Sequence, residues 1–192
     1  TQAGVSFHSM NKHKSHLGNI KVIHIAPTPF FSDRGCHIRI MGMLHGLEQY
    51  QVENILCTYH HGNEVVDIDT RRIGNIKRYT KTGAGPDPWK FWADIKLLWL
   101  TLKTVWKEKP DLIHGHLHEG AMIAWLVRWL TIWRGTPVVA DIQGSLTGEL
   151  DTFNFFAGKP WLVKIFQFIE SIIVRMPVGL TCSSLSSYNQ LR

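Results

Sequence analysis

Three stretches of this chain carry residues whose types and spacing can do chemistry. The first, VIHIAPTPFFSDRGCHIR, ends a β-branched apolar run at two prolines. It then offers Ser32 and Asp33 as helix caps, Gly35 where backbone can come close to a ligand, and Arg39 one turn further on. A strand, a loop and the open amides of a helix N-terminus form an anion site. Arg39 suits either a phosphate or a surface carboxylate there. The second stretch, IHGHLHEG, alternates His114, His116 and His118 and adds Glu119. Three rings on one face of a strand resemble a zinc ligand set. No cysteine or repeated carboxylate surrounds them, so we expect no metal. His114 then packs in the sheet, while His116 and His118 line a crevice rim, where His116 can hydrogen-bond a sugar hydroxyl or a phosphate. The third stretch, DIQGSLTGE, breaks a buried strand at Gly144. Gln143 offers an amide donor and acceptor and Glu149 a carboxylate, a set suited to a hydroxyl-rich acceptor. The same residues also read as a turn capped by Ser145 or Thr147.

The elements that must position these groups follow from periodicity. Strands are predicted at Lys21–Ala26, Val52–Thr58, Ile76–Tyr79, Leu112–His116, Pro137–Ile142 and Gly179–Cys182. They alternate with helices at Gly35–Gln49, Pro88–Glu108, Glu119–Trp133 and Lys159–Arg175, with a last helix starting at Ser184. On the first helix Ile38, Met41, Leu44 and Leu47 face inward, and Gly42 and Gly46 let it sit close to the sheet. On the second, Trp92, Ile95, Trp99, Leu102 and Trp106 form one stripe, read mostly as core, with lysines on other faces. This alternation predicts a doubly wound α/β domain with a mostly parallel sheet and helices on both faces. Ligands then bind beyond the carboxyl ends of the strands, where all three stretches lie. Residues 1–18 read as a mobile polar leader. The segment TGAGPDP reads as a turn, because no Lys-Ser or Lys-Thr pair follows to make a phosphate loop.

Composition narrows the function classes. At 192 residues and 44% hydrophobic, the chain can bury one ordinary core. Its net charge of +6 suits an anionic partner, but no recognition helix or aromatic sheet motif supports nucleic acid. Eight tryptophans among lysines and arginines give the helical stripe a second reading, as a peripheral contact with anionic membrane. Cys36, Cys57 and Cys182 show no framework spacing and read as reduced thiols in a cytoplasmic protein. No signal peptide or membrane-length apolar run is evident. A dinucleotide site would need G-x-G-x-x-G in the first turn and an acidic residue ending the second strand. The chain has only Gly35 there and ends that strand Cys57-Thr58-Tyr59-His60, which argues against hydride chemistry.

The ordered set KVIHIAPTPFFSDRGCHIRI, PDLIHGHLHEGAMIA, GTPVVADIQGSLTGEL and GLTCSSLSSYNQLR resembles the N-terminal half of family 4 glycosyltransferases, of GT-B architecture, from about Lys21 to Arg192. The resemblance implies retaining transfer of a sugar from a nucleotide-sugar donor to a glycan or lipid-linked hydroxyl acceptor, with no cofactor or required metal. It implies a domain that mainly holds acceptor and depends on a C-terminal donor-binding domain outside this chain. Position by position, it puts Gly35 and Cys36 against donor phosphate, with Arg39 supporting that charge. His116 and Gln143 take catalytic places near the transferred sugar, and His118, Glu119, Gly144 and Glu149 line the acceptor crevice. Many members carry a second glycine where Cys36 stands and a histidine where Gln143 stands. A non-catalytic sugar- or anion-binding domain is the alternative.

Overall fold

The computed structural model describes residues 20–32, 35–65, 67–80, 87–152 and 155–190. The expected leader, the Asp33 cap and most of the Thr82–Pro88 turn lie outside them. Strands β1 (Lys21–Ala26), β2 (Glu53–Thr58) and β4 (Leu112–His116) are buried along nearly their whole length. They show no wet face because a parallel strand covered on both sides is buried along both rows of side chains. With β3 (Asp69–Arg72), β5 (Val138–Ile142) and β6 (Gly179–Cys182) they form one all-parallel sheet in the order β3-β2-β1-β4-β5-β6. The strand order reverses between β1 and β4, and a crevice opens at such a switch point.

The third strand differs from the Ile76–Tyr79 expected. The ladder takes the polar segment Asp69–Arg72 instead, whose charges blunt an exposed sheet edge. Ile76 and Tyr79 pack onto the core from a turn closed by the Tyr79 N–H to the Ile76 carbonyl at 2.9 Å.

Helix α1 (Gly35–Glu48) packs on one face of the sheet, where Ile40 and Leu44 meet Leu56, Phe30 and Ile68. The other face carries α2 (Pro88–Glu108), α3 (Leu117–Leu130) and α5 (Pro160–Ile173) side by side. There Leu97, Val105, Ile123 and Val127 close over Ile23, Ile55 and Ile113, and Ile173 joins Ala140 and Ile142. Asp87 caps α2 by accepting the Trp89 N–H at 2.7 Å, Pro88 takes the first turn, and left-handed Lys109 (φ 52°) ends it before Pro110. A single 3₁₀ turn at Ile132–Arg134 follows α3. Two short helices complete the domain: α4 (Leu146–Thr152), where only a capped turn was expected, and α6 (Leu185–Gln190).

Two expected faces differ in part: on α1 Leu44 is inside as expected and Met41 packs against the core, but Ile38 does neither, and on α2 the tryptophans turn out. On α1 the inward line is His37, Ile40 and Leu44, and Ile38 is 60% exposed. A Cβ added to Gly42 or Gly46 would meet nothing within 4 Å, so neither makes a close helix–sheet contact. The close approach is elsewhere: a Cβ on Gly115 would stand 2.4 Å from the Gly120 carbonyl oxygen, and one on Gly120 2.8 Å from that of Ile25. On α2 the inward line is Ala93, Leu97, Thr101 and Val105, while Trp92, Trp99 and Trp106 point out. The helix is apolar on more than one side, and the small residues win the inner face because they let it lie against the strands.

Candidate functional site

Because β1, β4 and β5 are neighbours in the sheet, the turns that follow them leave it side by side. The three chemistry-bearing stretches therefore share one crevice. The first turn is held firmly: Thr58 Oγ1 donates to the Ala26 and Thr28 carbonyls at 2.9 and 2.8 Å, and Asn63 N–H donates to the Phe31 carbonyl at 2.8 Å. Arg72 fixes the bracing loop in turn, donating to the His61 and Asn63 carbonyls. The Ser32 N–H donates to His37 Nδ1 at 3.0 Å and ties the turn to α1. A Cβ on Gly35 or Gly144 would meet nothing within 4 Å beyond its own neighbours in the chain, so neither backbone is packed against another element.

A buried polar network lies under the crevice. Arg39 reaches from α1 across to β5, its Nε 3.0 Å from Asp141 Oδ2 and its Nη2 2.6 Å from Asp141 Oδ1. Nη2 also donates to the Cys182 carbonyl, and Nη1 has no partner among the described residues. Thr181 Oγ1 donates to Asp141 Oδ1 at 2.7 Å, and Gln143 Nε2 donates to Oδ2 at 3.0 Å. Asp141 is fully buried. Burial alone would raise its carboxyl, but the bonds from Arg39 and Thr181 outweigh that and hold it well below the usual carboxylate range. The ionised form accepts every one of these bonds.

His116 is fully buried beneath the crevice, not on its rim as expected. Its Nδ1 stands 3.8 Å from Asp141 Oδ2, beyond hydrogen-bond range, and its Nε2 shares a hydrogen bond with His24 Nδ1 at 3.1 Å. His24 Nε2 bonds Asn54 Oδ1 at 3.0 Å. Burial pushes the His24, His114 and His116 imidazoles down, His114 to about 3, so all three are neutral near pH 7. Nitrogens of these three rings lie within 4.8 Å of one another. The His114 and His116 rings stack, with centroids 4.4 Å apart at 29°. One nitrogen of His24 and one of His116 are engaged with each other by a hydrogen bond.

His118 parts from the other histidines. Leu117 takes a left-handed turn (φ 63°), a costly conformation for a side chain of its kind. His118 Nε2 comes to lie 3.2 Å from Glu170 Oε1 of α5. Glu170 also accepts the Leu146 N–H and Thr147 hydroxyl at the start of α4. Burial would raise this carboxyl, but those partners bring it down to about 2. Glu119 pairs with Lys90 of α2. Beside that pair, Tyr59 OH donates to Asp94 Oδ1 at 2.5 Å, and burial lifts the Asp94 carboxyl to about 6. Glu149 lies on α4.

The structure thus brings Gly35, Cys36, Arg39, His116, Gln143 and Gly144 to one region, with His116 below the surface. His118 and Glu119 sit at its flank, each engaged by another helix. His24, Asn54, Asp141 and Thr181 escaped the reading of site residues. Their signal was a polar residue within an otherwise apolar strand, at alternate positions that share one face.

A doubly wound, all-parallel sheet with helices on both faces defines a Rossmann-like domain. The chain matches the glycosyl transferase 4-like domain over residues 34–192 and belongs to that family. No curated protein sequence matches it. Among solved structures it is similar to sucrose-phosphate synthase from Thermosynechococcus elongatus (TM-score 0.62, 12% identity, covering 91% of this chain and 45% of that one). It is also similar to Acinetobacter baumannii MurG (0.53, 16%, 88% and 42%). A third is UDP-GlcNAc 2-epimerase from Neisseria meningitidis bound to UDP-GlcNAc (0.50, 14%, 90% and 42%). The chain spans less than half the length of each, and the likeness is one of fold.

Proposed function

We propose that this domain is the acceptor-side half of a retaining glycosyltransferase, which moves a sugar from a nucleotide-sugar donor to a hydroxyl acceptor at the β1–β4–β5 crevice. The observation that carries the reading is the shared crevice itself: three adjacent strand ends, two glycines packed against no other element, and Arg39 reaching across to Asp141. Family membership supports glycosyl transfer, and the UDP-GlcNAc bound by the Neisseria structure supports a nucleotide-sugar ligand.

In this reading the Gly35 and Cys36 amides face donor phosphate, and the unpartnered Nη1 of Arg39 adds charge while its other nitrogens stay on Asp141. Gln143 and Gly144 meet the transferred sugar, with His118, Glu119 and Glu149 toward the acceptor. His116 lies below, its ring bonded to His24 and stacked on His114 under the strand ends. Its neutral ring and the neighbouring carboxylate form a preorganised base for the crevice, which costs little reorganisation when charge develops above it. No metal is required. A second, donor-binding domain closes over the site in the cytoplasm, and the chain alone has no appreciable turnover, because positioning from both sides supplies most of the rate.

The test is amide NMR of the chain titrated with UDP-GlcNAc and with other nucleotide sugars. Shifts centred on Gly35, Cys36, Gln143 and Gly144 are expected. Shifts confined to other surfaces, or turnover by the chain alone, would sink the reading.

A further inference from the structure

We propose that the outer surface of the α2–α3–α5 layer is a docking face for an anionic lipid bilayer. Core packing does not use this surface. Trp92, Trp99, Trp106, Trp129, Trp161 and Phe168 are between 54% and 66% exposed, on three helices that lie side by side on one face of the sheet. A stripe of three outward tryptophans on α2, with exposed aromatic rings on the helices beside it, is far more apolar surface than a lone exposed residue. No helix among the described residues is long and apolar enough to cross a membrane, so the fit is to a surface that the layer lies upon.

Charge selects the kind of surface. Each acidic residue on the three helices is engaged within the protein: Asp94 by Tyr59, Glu108 by Lys21 and Arg71, Glu119 by Lys90, and Glu170 at the start of α4. The exposed cations are left to set the outer potential. Lys103 lies over the Trp99 ring at 5.5 Å, and with Lys107 it edges a groove of about 600 Å³ floored by Trp99, Leu102, Trp106, Leu130 and Trp133. An apolar floor with ammonium groups at its edge matches acyl chains beneath phosphate headgroups, with the lysine stems lying along the boundary.

The test is flotation of the full chain with vesicles of phosphatidylcholine alone and of phosphatidylcholine mixed with phosphatidylglycerol. Binding to the anionic vesicles only, released by added salt, is expected. Lys103→Gln with Lys107→Gln should weaken it more than about tenfold, taking roughly fivefold for each cation at the surface. Trp99→Ser, Trp106→Ser and Trp133→Ser together should abolish it while circular dichroism stays unchanged. Without any variant, brominated anionic lipid should quench tryptophan emission. Absent quenching, equal binding to neutral vesicles, or undiminished binding of the tryptophan variant overturns the proposal. So does a lipid-free dimer that the tryptophan changes dissociate, since a second copy would then cover this face. Sugar transfer does not depend on the outcome: a chain that ignores vesicles can still show nucleotide-sugar shifts at Gly35 and Gly144.

Discussion

The two faces of the sheet are built on opposite plans. On the α2–α3–α5 side, Ile23, Ile55, Ile113 and Val138 meet Leu97, Val105, Ile123 and Val127 in a core without buried charge at its centre. On the α1 side the same strands turn His24, Asn54, His114, His116 and Asp141 inward, and Arg39 crosses over them. The first face gains stability from apolar area, without regard to direction. The second depends on every polar partner being present, because a buried group left alone costs more than the bond was worth. The function proposed for the domain sits on the demanding face, and the permissive one has aromatic surface to spare.

The comparison breaks most sharply at Asp141. Asp141→Ala leaves Arg39, Thr181 and Gln143 without their shared partner and should cost about 3–5 kcal/mol in urea unfolding. A loss below about 1 kcal/mol would mean that the network does not hold the strand ends. On the apolar side, Leu97→Ala should cost about 2–5 kcal/mol by the same measurement, because it empties a fully buried site.

Two carboxylates sharpen the contrast through pH. The Glu170 carboxyl is lowered to about 2 from an ordinary value of 4.5, so its stabilisation is complete above pH 4.5 and is lost as pH falls toward 2. Glu170→Gln should cost roughly 2 kcal/mol at pH 7 and flatten that acid limb in thermal melts. Asp94 runs the other way. Raised to about 6 from 3.8, its ionised form is disfavoured in the fold, so stability is lost as pH rises through 6. Asp94→Asn should stabilise by about 1 kcal/mol above pH 6, allowing for partial exposure, with the gain vanishing below pH 4. The smallest effect belongs to Trp99→Ser, two residues from Leu97 but on the outer side of α2. It should change stability by less than about 0.5 kcal/mol, and a larger loss would put that ring in the core after all.

The expected α2, Pro88–Glu108, and its observed span coincide because Asp87, Pro88 and the Lys109–Pro110 ending are local signals. The site was legible as far as its strands were: Gly35, Gln143 and Gly144 follow apolar runs that end abruptly, and parallel topology carries them to one edge. Asp69–Arg72 was not legible as a strand, since an edge ladder needs little apolar content and its hydrogen bonds come from β2. The partner of Arg39 was equally hidden, because Asp141 lies 102 residues away.

By itself the amino-acid order determined the alternation of strand and helix, the parallel sheet and the end of it where ligands belong, because these follow from periods of two and 3.6 and from turn chemistry. Only the tertiary structure decided which face of each helix went inside, which histidine sank below the crevice and which carboxylate Arg39 took. A helix apolar on several sides, and a charge with several possible partners, are settled by the neighbour that packing brings, and that neighbour is far away in the chain.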